Sequence, residues 1–335
     1  MLNRTRRNCG LTRRIFLGSL GAAAGTATLP GYASAAALDL SSVRLRIGTF
    51  RGQDETMLSG TKLDDTPYKM QYSEFNAGNL ITQAINADAV DLGAWSEIPL
   101  VFAAASHANI RVVAVVEGPT SGQAVLVPKG SSAKSIADLR GKRVGYIRAT
   151  TAHYFLLKML AQHGMTFADI QPIALGMSSG LTAMRSGALD AWATYGYAIA
   201  TIGTDSGARV LQNAVGILSG NYLIGANPKR LIEPADRGAI ADYIGRLDQA
   251  YRILDADKPR WAKLVAPVIG VPEPIVLAYL SDENRPWTIH PIRPADIASA
   301  QNVADTFSKI GLLPPQVDVA PYFTNVLDPL LATRS

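Results

Sequence analysis

The sequence predicts an α/β fold in two lobes of like construction, and three observations carry that prediction. A unit of strand, short polar turn and helix recurs from residue 43 to about residue 220. A short pattern, Asn86-Ala87-Asp88-Ala89-Val90-Asp91 leading to Trp95, returns as Arg185-Ser186-Gly187-Ala188-Leu189-Asp190 leading to Trp192. Each copy reads as helix end, turn and strand, one in each lobe. Finally, 335 residues with 48% hydrophobic content suffice for about two cores.

The first 37 residues stand apart. Arg4, Arg6, Arg7, Arg13 and Arg14 lie there without an acid; taking those five from the 32 basic residues leaves 27, equal to the 27 acidic ones. The net charge of +5 therefore belongs to the leader, and nothing in the remainder calls for a nucleic-acid partner. A basic start, a mildly apolar run from Ile15 to Leu29 and the small residues Ala33-Ser34-Ala35 predict an export signal over 1–35, cleaved near Ala35. Thr12-Arg13-Arg14-Ile15-Phe16-Leu17 resembles the twin-arginine signal. The one cysteine, Cys9, precedes the apolar run, so the mature chain has no disulfide, no thiolate metal site and no cysteine nucleophile. No other segment is long and apolar enough to span a bilayer, and an exported, soluble protein is expected.

In order, Val43, Leu45 and Ile47 alternate with Arg44 and Arg46 as a strand ending at Gly48-Thr49-Phe50-Arg51-Gly52. Tyr68 to Phe75 is a second strand, and Asn76-Ala77-Gly78-Asn79 opens a helix over Leu80–Ile85. Asp91 to Ala94 ends a third strand, Trp95-Ser96-Glu97 leads into a helix over Leu100–Ala105, and Arg111 to Val116 is another strand. Near Pro128 the chain changes lobe, and Ser135 to Arg140 is a short helix with Gly141 at its C-terminus. Arg143 to Met159 gives a strand through Val144, Tyr146 and Ile147, the turn Ala149-Thr150-Thr151-Ala152, and a helical rhythm from Tyr154 to Leu160. Ile170 to Leu175, Gly176-Met177-Ser178-Ser179-Gly180 and Leu181 to Arg185 repeat the unit. From Asn221 onward the pattern is helical: Asp236–Ala256, Pro259–Ile269 and Ala295–Ile310.

In such sheets ligands bind outside the C-terminal ends of the strands. A strand that turns into a helix there leaves unpaired N–H groups and the positive end of the helix dipole facing solvent, which suits an anion. Thr150 or Thr151 either caps its own helix or faces such an anion; the sequence leaves both open.

Asp138-Leu139-Arg140-Gly141-Lys142-Arg143-Val144, Thr150-Thr151-Ala152-His153 and Leu189-Asp190-Ala191-Trp192-Ala193 resemble the substrate-binding proteins of ABC importers for aliphatic sulfonates, taurine and nitrate. Ser73-Glu74-Phe75-Asn76-Ala77-Gly78, Asp91-Leu92-Gly93 and Ala304-Asp305-Thr306-Phe307 support it, and the resemblance runs from about Val43 to the C-terminus. It implies a two-lobed periplasmic binding protein of type II, with the ligand cleft between lobes and capture by hinge closure. Residues 43–127 plus 221–335 form one lobe and 128–220 the other, with crossings near Val125–Pro128 and Gly220–Ile224. The implied partners are a small anionic organosulfur ligand and an ABC permease, with no cofactor, no catalytic residue and no metal; a monomer is expected.

Carrying the family's ligand loops over gives Arg51 and Gln53, Asn76 and Gly78, Trp95, Ser96 and Glu97 from one lobe, and Thr150, Thr151, His153, Tyr195 and Tyr197 from the other. Asn221 and Tyr222 sit at the return crossing, and Arg51 and Arg148 either add charge-assisted bonds or stay solvated. The chain has Tyr195-Gly196 where the family often has Trp-Asp, and Ser96-Glu97 where it often has Gly-Asp. Losing the second carboxylate counts against taurine, while Trp95, Tyr154, Tyr195, Tyr197 and Tyr222 offer either apolar ligand walls or ordinary core packing. The ligand expected is an alkyl or aromatic sulfonate or a sulfate ester, with nitrate or another small anion as the alternative. Gly176 to Gly180 also matches G-x-S-x-G between a strand and a helix, which a periplasmic serine hydrolase using Ser178 and His290 requires. No oxyanion-hole motif of the HGGG type accompanies it.

Overall fold

The computed structural model describes residues 38–332; the expected export signal, with its arginine pair, Cys9 and the cleavage point near Ala35, lies outside the described residues. In chain order the main elements of the first half are β1 (Arg44–Thr49), α1 (Asp54–Thr61), β2 (Lys69–Glu74), α2 (Gly78–Asn86), β3 (Leu92–Ser96), α3 (Glu97–Ala105), β4 (Arg111–Glu117), β5 (Gln123–Val127) and β6 (Arg143–Tyr146). Then follow α4 (Thr151–Gln162), β7 (Gln171–Ala174), α5 (Met177–Arg185), β8 (Ala191–Tyr195), α6 (Tyr197–Ser206), β9 (Arg209–Asn213) and β10 (Asn221–Ala226). The chain closes with α7 (Pro234–Ala256), α8 (Lys258–Ile269), α9 (Glu273–Ser281), β11 (Thr288–His290), α10 (Pro294–Lys309) and the short α11 (Asp328–Leu331).

The strands form two sheets, ordered β11-β4-β10-β3-β1-β2 and β7-β6-β8-β5-β9. Each has a parallel core of three strands, β2-β1-β3 and β7-β6-β8, extended by antiparallel strands on one side. One sheet anchors each lobe. β5 pairs with β8 and β9 in the second sheet, so the first crossing lies at 118–122 and not at Val125–Pro128. The breaker is Gly118-Pro119-Thr120-Ser121-Gly122, and Asn284 Oδ1 pins it by accepting from the N–H groups of Thr120 and Ser121 at 2.9 and 3.2 Å. A side chain at Gly122 has no room: its Cβ would lie 2.4 Å from the Tyr279 hydroxyl. The segment expected as a helix at Ser135–Arg140 is a single 3-10 turn, Ile136–Leu139, fixed by a Ser135–Asp138 capping box.

The repeated sequence pattern is a repeated structure. In the first lobe the Asp91 carboxylate accepts from the Arg46 backbone N–H at 2.7 Å and from its Nε at 3.1 Å, while Arg46 Nη1 donates to the Asp88 carbonyl. In the second, Asp190 accepts from the Arg143 N–H at 2.8 Å and its Nε at 3.1 Å, while Arg143 Nη2 donates to the Gly187 carbonyl. Asp88 and Gly187 both adopt positive φ, 58° and 72°. These braces tie the start of the third parallel strand of each lobe to the first.

One continuous hydrophobic core joins the lobes along α3, α4 and α10. Phe307 of α10 packs against Phe102 of α3 and against His153 and Tyr154 of α4, with ring centroids 5.1–5.9 Å apart. The opposite approach of the lobes is α6 against α9, where Tyr197 and Tyr279 meet at 4.6 Å.

Candidate ligand-binding site

Between those two contacts lies a cavity of about 570 Å³, walled by both lobes. Six helices, α1 to α6, begin at it, because in each lobe the parallel strands end on the same side and turn directly into helices. Gln53 and Asp54, Gly78, Ser96, Thr150 and Thr151, Met177, and Gly196 and Tyr197 bring those six starts to the wall. None of the six carries a side-chain cap. Elsewhere the chain does cap: Asp257 accepts from the Arg260 N–H at the start of α8, and Thr166 and Asn227 cap 3-10 turns. α7, α9 and α11 also start without a side-chain cap, but only at the cavity do six such starts converge, and there an anion can satisfy N–H groups that no side chain takes.

The rest of the wall combines aliphatic residues such as Ile269, Val271 and Leu280 with an aromatic cluster from the C-terminal part of the first lobe: Tyr222, Tyr251, Trp261, Tyr279 and Trp287. Tyr251 stacks on Trp287 at 5.4 Å and 11°, and Tyr222 lies 5.2 Å from Trp287. Burial pushes the phenols of Tyr222, Tyr251 and Tyr279 above their ordinary range, so all three are neutral near pH 7. The second lobe adds Tyr195, pushed up to about 12 by burial, together with Thr150, Thr151, Thr201 and Gln123.

Of the residues singled out from sequence, Arg51, Gln53, Asn76, Gly78, Trp95, Ser96, Thr150, Thr151, Tyr195, Tyr197 and Tyr222 line the cavity. Arg51 is exposed and forms no ion pair among the described residues. Thr150 caps nothing with its side chain; its hydroxyl donates to the Ile147 carbonyl at 2.7 Å. The Thr151 hydroxyl, 7% exposed, has no hydrogen-bond partner among the described residues.

Four expected ligand residues do not reach the cavity. Glu97, 4% exposed, turns toward the return crossing, where the Ser219 hydroxyl donates to it at 2.6 Å and Asn221 Nδ2 at 3.3 Å. Burial raises its carboxyl pKa against the pull of those bonds. Asn221 is spent in the same cluster, also donating to Asp296 Oδ1 at 3.3 Å. The His153 ring, 2% exposed, lies among Tyr146, Phe167 and Phe307, and burial lowers its pKa to about 4. Arg148 is exposed and outside the wall. Tyr154 is core as well, packed on Phe307. Ser178 is exposed at the start of α5, and no hydrogen bond joins it to a histidine among the described residues; His290 Nδ1 lies 2.8 Å from the Pro291 carbonyl oxygen.

Missed from sequence were Asp54, Gln123, Tyr251, Trp261, Tyr279, Glu283 and Trp287. Tyr251, Trp261 and Tyr279 sit inside α7, α8 and α9, and the signal for a wall was the crowding of tryptophan and tyrosine between 251 and 287.

Two α/β lobes that share a hinge-side core and enclose a cavity at their helix N-termini define a two-lobed binding protein. A family model described as NMT1/THI5 like matches residues 69–212. An aliphatic sulfonates-binding protein of Escherichia coli (strain K12) is 30% identical over 290 residues, 85% of this chain and 90% of that protein. The solved alkanesulfonate-binding protein SsuA from Xanthomonas axonopodis pv. citri, bound to MOPS, superposes with a TM-score of 0.77 at 30% identity, covering 84% of this chain and 98% of that one. The periplasmic aliphatic sulphonate-binding protein SsuA from Escherichia coli gives 0.75 at 28% identity, covering 82% and 90%. The chain belongs to the family of aliphatic-sulfonate-binding proteins, within the NMT1/THI5-like proteins.

Proposed function

We propose that this protein is the exported binding component of an ABC importer and captures an organic sulfonate, alkyl or aromatic, or a sulfate ester, by closing its lobes on it. The observation that carries this reading is the pairing of uncapped helix N-termini with an aromatic wall around one cavity. A sulfonate stays ionised near neutral pH and has three acceptor oxygens, so N–H groups and the free Thr151 hydroxyl suit its head, and neutral aromatic rings suit its tail. MOPS, bound by the Xanthomonas relative, is itself an alkylsulfonate carrying a ring. Nitrate is a four-atom anion, and a cavity of about 570 Å³ with this wall leaves most of its apolar surface uncovered around it.

On this reading the cluster at the return crossing, with Glu97, Ser219, Asn221 and Asp296, holds the hinge and not the ligand. The mature protein begins after a cleavage near Ala35, works in the periplasm as a monomer and hands its ligand to a permease. It has no catalytic role: purified protein and Ser178→Ala should hydrolyse p-nitrophenyl esters equally poorly. The deciding experiment is a thermal-shift screen with alkylsulfonates, arylsulfonates, sulfate esters, taurine and nitrate, since a ligand of the folded state raises its melting temperature. Sulfonates or sulfate esters with sizeable tails should give the largest shifts; nitrate giving the largest would overturn the assignment.

A further inference from the structure

Two carboxylates stand on the cavity wall, and they are treated differently. Glu283 has its cation: Lys258 Nζ donates to it at 2.7 Å, and Trp287 Nε1 adds a bond at 3.1 Å. Asp54 has none. It is 8% exposed, lines the cavity, and accepts one side-chain hydrogen bond, from the Tyr243 hydroxyl at 2.6 Å. No ion pair reaches it among the described residues, although Arg51 lies only three positions earlier. Its place at the start of α1 accounts for an acid there, because the helix dipole favours one; the exposed Glu55 beside it already serves that purpose. A dipole does not account for burying a carboxylate against a ligand cavity.

Its surroundings suit a cation. α1 packs against α7 and α8, Asp54 is bonded to Tyr243 of α7, and Tyr251 of α7 and Trp261 of α8 lie 6.3 Å apart on the cavity wall. Aromatic faces beside a carboxylate that lacks a counter-ion attract a weakly hydrated ammonium, which is cheaper to desolvate than a small primary amine. A negative charge at the start of α1 also offsets that helix's N-terminal field, leaving the other five starts to the anionic head.

We infer that Asp54, with the faces of Tyr251 and Trp261, is a second subsite that receives a tertiary or quaternary ammonium on the tail of the sulfonate, so that the preferred ligand class is a zwitterionic aminosulfonate. The inference rests on the sulfonate reading and narrows it. It differs from a taurine site, where a small primary amine sits two carbons from the head, because the acid here is partnered by aromatic faces in a cavity of about 570 Å³. Burial holds the Asp54 carboxyl above its usual range, and an ammonium beside it would draw it back into the ionised form.

The test is calorimetry with two probes of equal shape, 3-(trimethylammonio)propane-1-sulfonate and 4,4-dimethylpentane-1-sulfonate, which differ by a charged nitrogen in place of a carbon. The wild-type protein should bind the ammonium probe about tenfold more tightly or better. Asp54→Asn should bring the two within about twofold. A wild-type preference for the neutral probe overturns the subsite and needs no variant, so the inference stays open to refutation if Asp54→Asn does not fold. An ammonium preference that survives Asp54→Asn overturns it too. Octanesulfonate binding while neither probe binds removes the subsite alone; no sulfonate binding at all removes the sulfonate reading and the subsite with it.

Discussion

The two lobes carry the same brace at different depths. Asp91 is 0% exposed and is held by two arginines: Arg46, and Arg230 through Nε at 2.9 Å. Its counterpart Asp190 is part-exposed and meets Arg143 alone. The geometry with the first strand is nearly identical, so what differs is burial and the second arginine. A shared sequence motif fixes where a bond forms, and its depth fixes what the bond is worth. The lobes divide the cavity in the same spirit: their helix N-termini match, but the second lobe adds hydroxyls and the first adds tryptophans and tyrosines.

Breaking the braces gives the largest expected contrast. Asp91→Ala should cost about 3–5 kcal/mol, because it leaves two arginines without their buried partner. Asp190→Ala should cost about 1 kcal/mol or less, as part-exposed pairs do. Urea denaturation of the two variants measures both, and equal losses would mean that neither depth nor the second arginine separates the lobes.

The division of the cavity is sharpened next by Tyr222→Ala, which removes part of the aromatic wall. Octanesulfonate affinity should fall by about thirtyfold, roughly 2 kcal/mol, while methanesulfonate, which lacks a tail, changes by less than about threefold. Parallel losses for both ligands would place Tyr222 at the head group instead.

The contact between the lobes gives a pH signature. His153 is buried neutral between α4 and Phe307, with its pKa lowered to about 4 from an ordinary value near 6.5. Between those values the unfolded chain binds the proton and the folded one does not. Its contribution is therefore fully present above about pH 6.5 and declines as pH falls toward 4. From pH 7 to 5.5 this amounts to about 1 kcal/mol. His153→Leu should flatten that part of the stability profile, and an unchanged profile would show that the ring is not the group responsible.

On the hydroxyl side, Thr151→Val should weaken every sulfonate about fivefold, close to 1 kcal/mol, without lowering stability. Thr150→Val should instead act on the fold, because that hydroxyl already serves the Ile147 carbonyl. Calorimetry beside a melting curve separates the pair.

Much of this was legible in the sequence because strands ending in polar turns announce their own geometry. The expected cavity positions of Ser96, Thr150, Thr151 and Tyr195 come from the family resemblance laid over those turns, while the strand–turn–helix units and the repeated Asp91 and Asp190 turns follow from local pattern. Side-chain direction does not. Glu97 stands one residue after Ser96, yet it points into Ser219 and Asn221 because α3 begins there and turns successive side chains apart. Residues brought in from distant helices were equally hidden. Tyr251 and Trp261 have the spacing of core positions in α7 and α8, and only the packing of α7 to α9 in the first lobe brings them and Trp287 to the cavity wall. The crossing at 118–122 was overlooked because Pro128 offered a plausible boundary, while the glycines that bend the chain sit ten and six residues before it.

The central claim is that the helix N-termini hold an anionic sulfonate head while the aromatic wall selects its tail. Calorimetric titration of the purified mature protein with octanesulfonate, benzenesulfonate, taurine and nitrate tests it most directly. Octanesulfonate or benzenesulfonate should bind most tightly, with taurine and nitrate each at least about tenfold weaker. Taurine or nitrate binding more tightly than both would contradict the account.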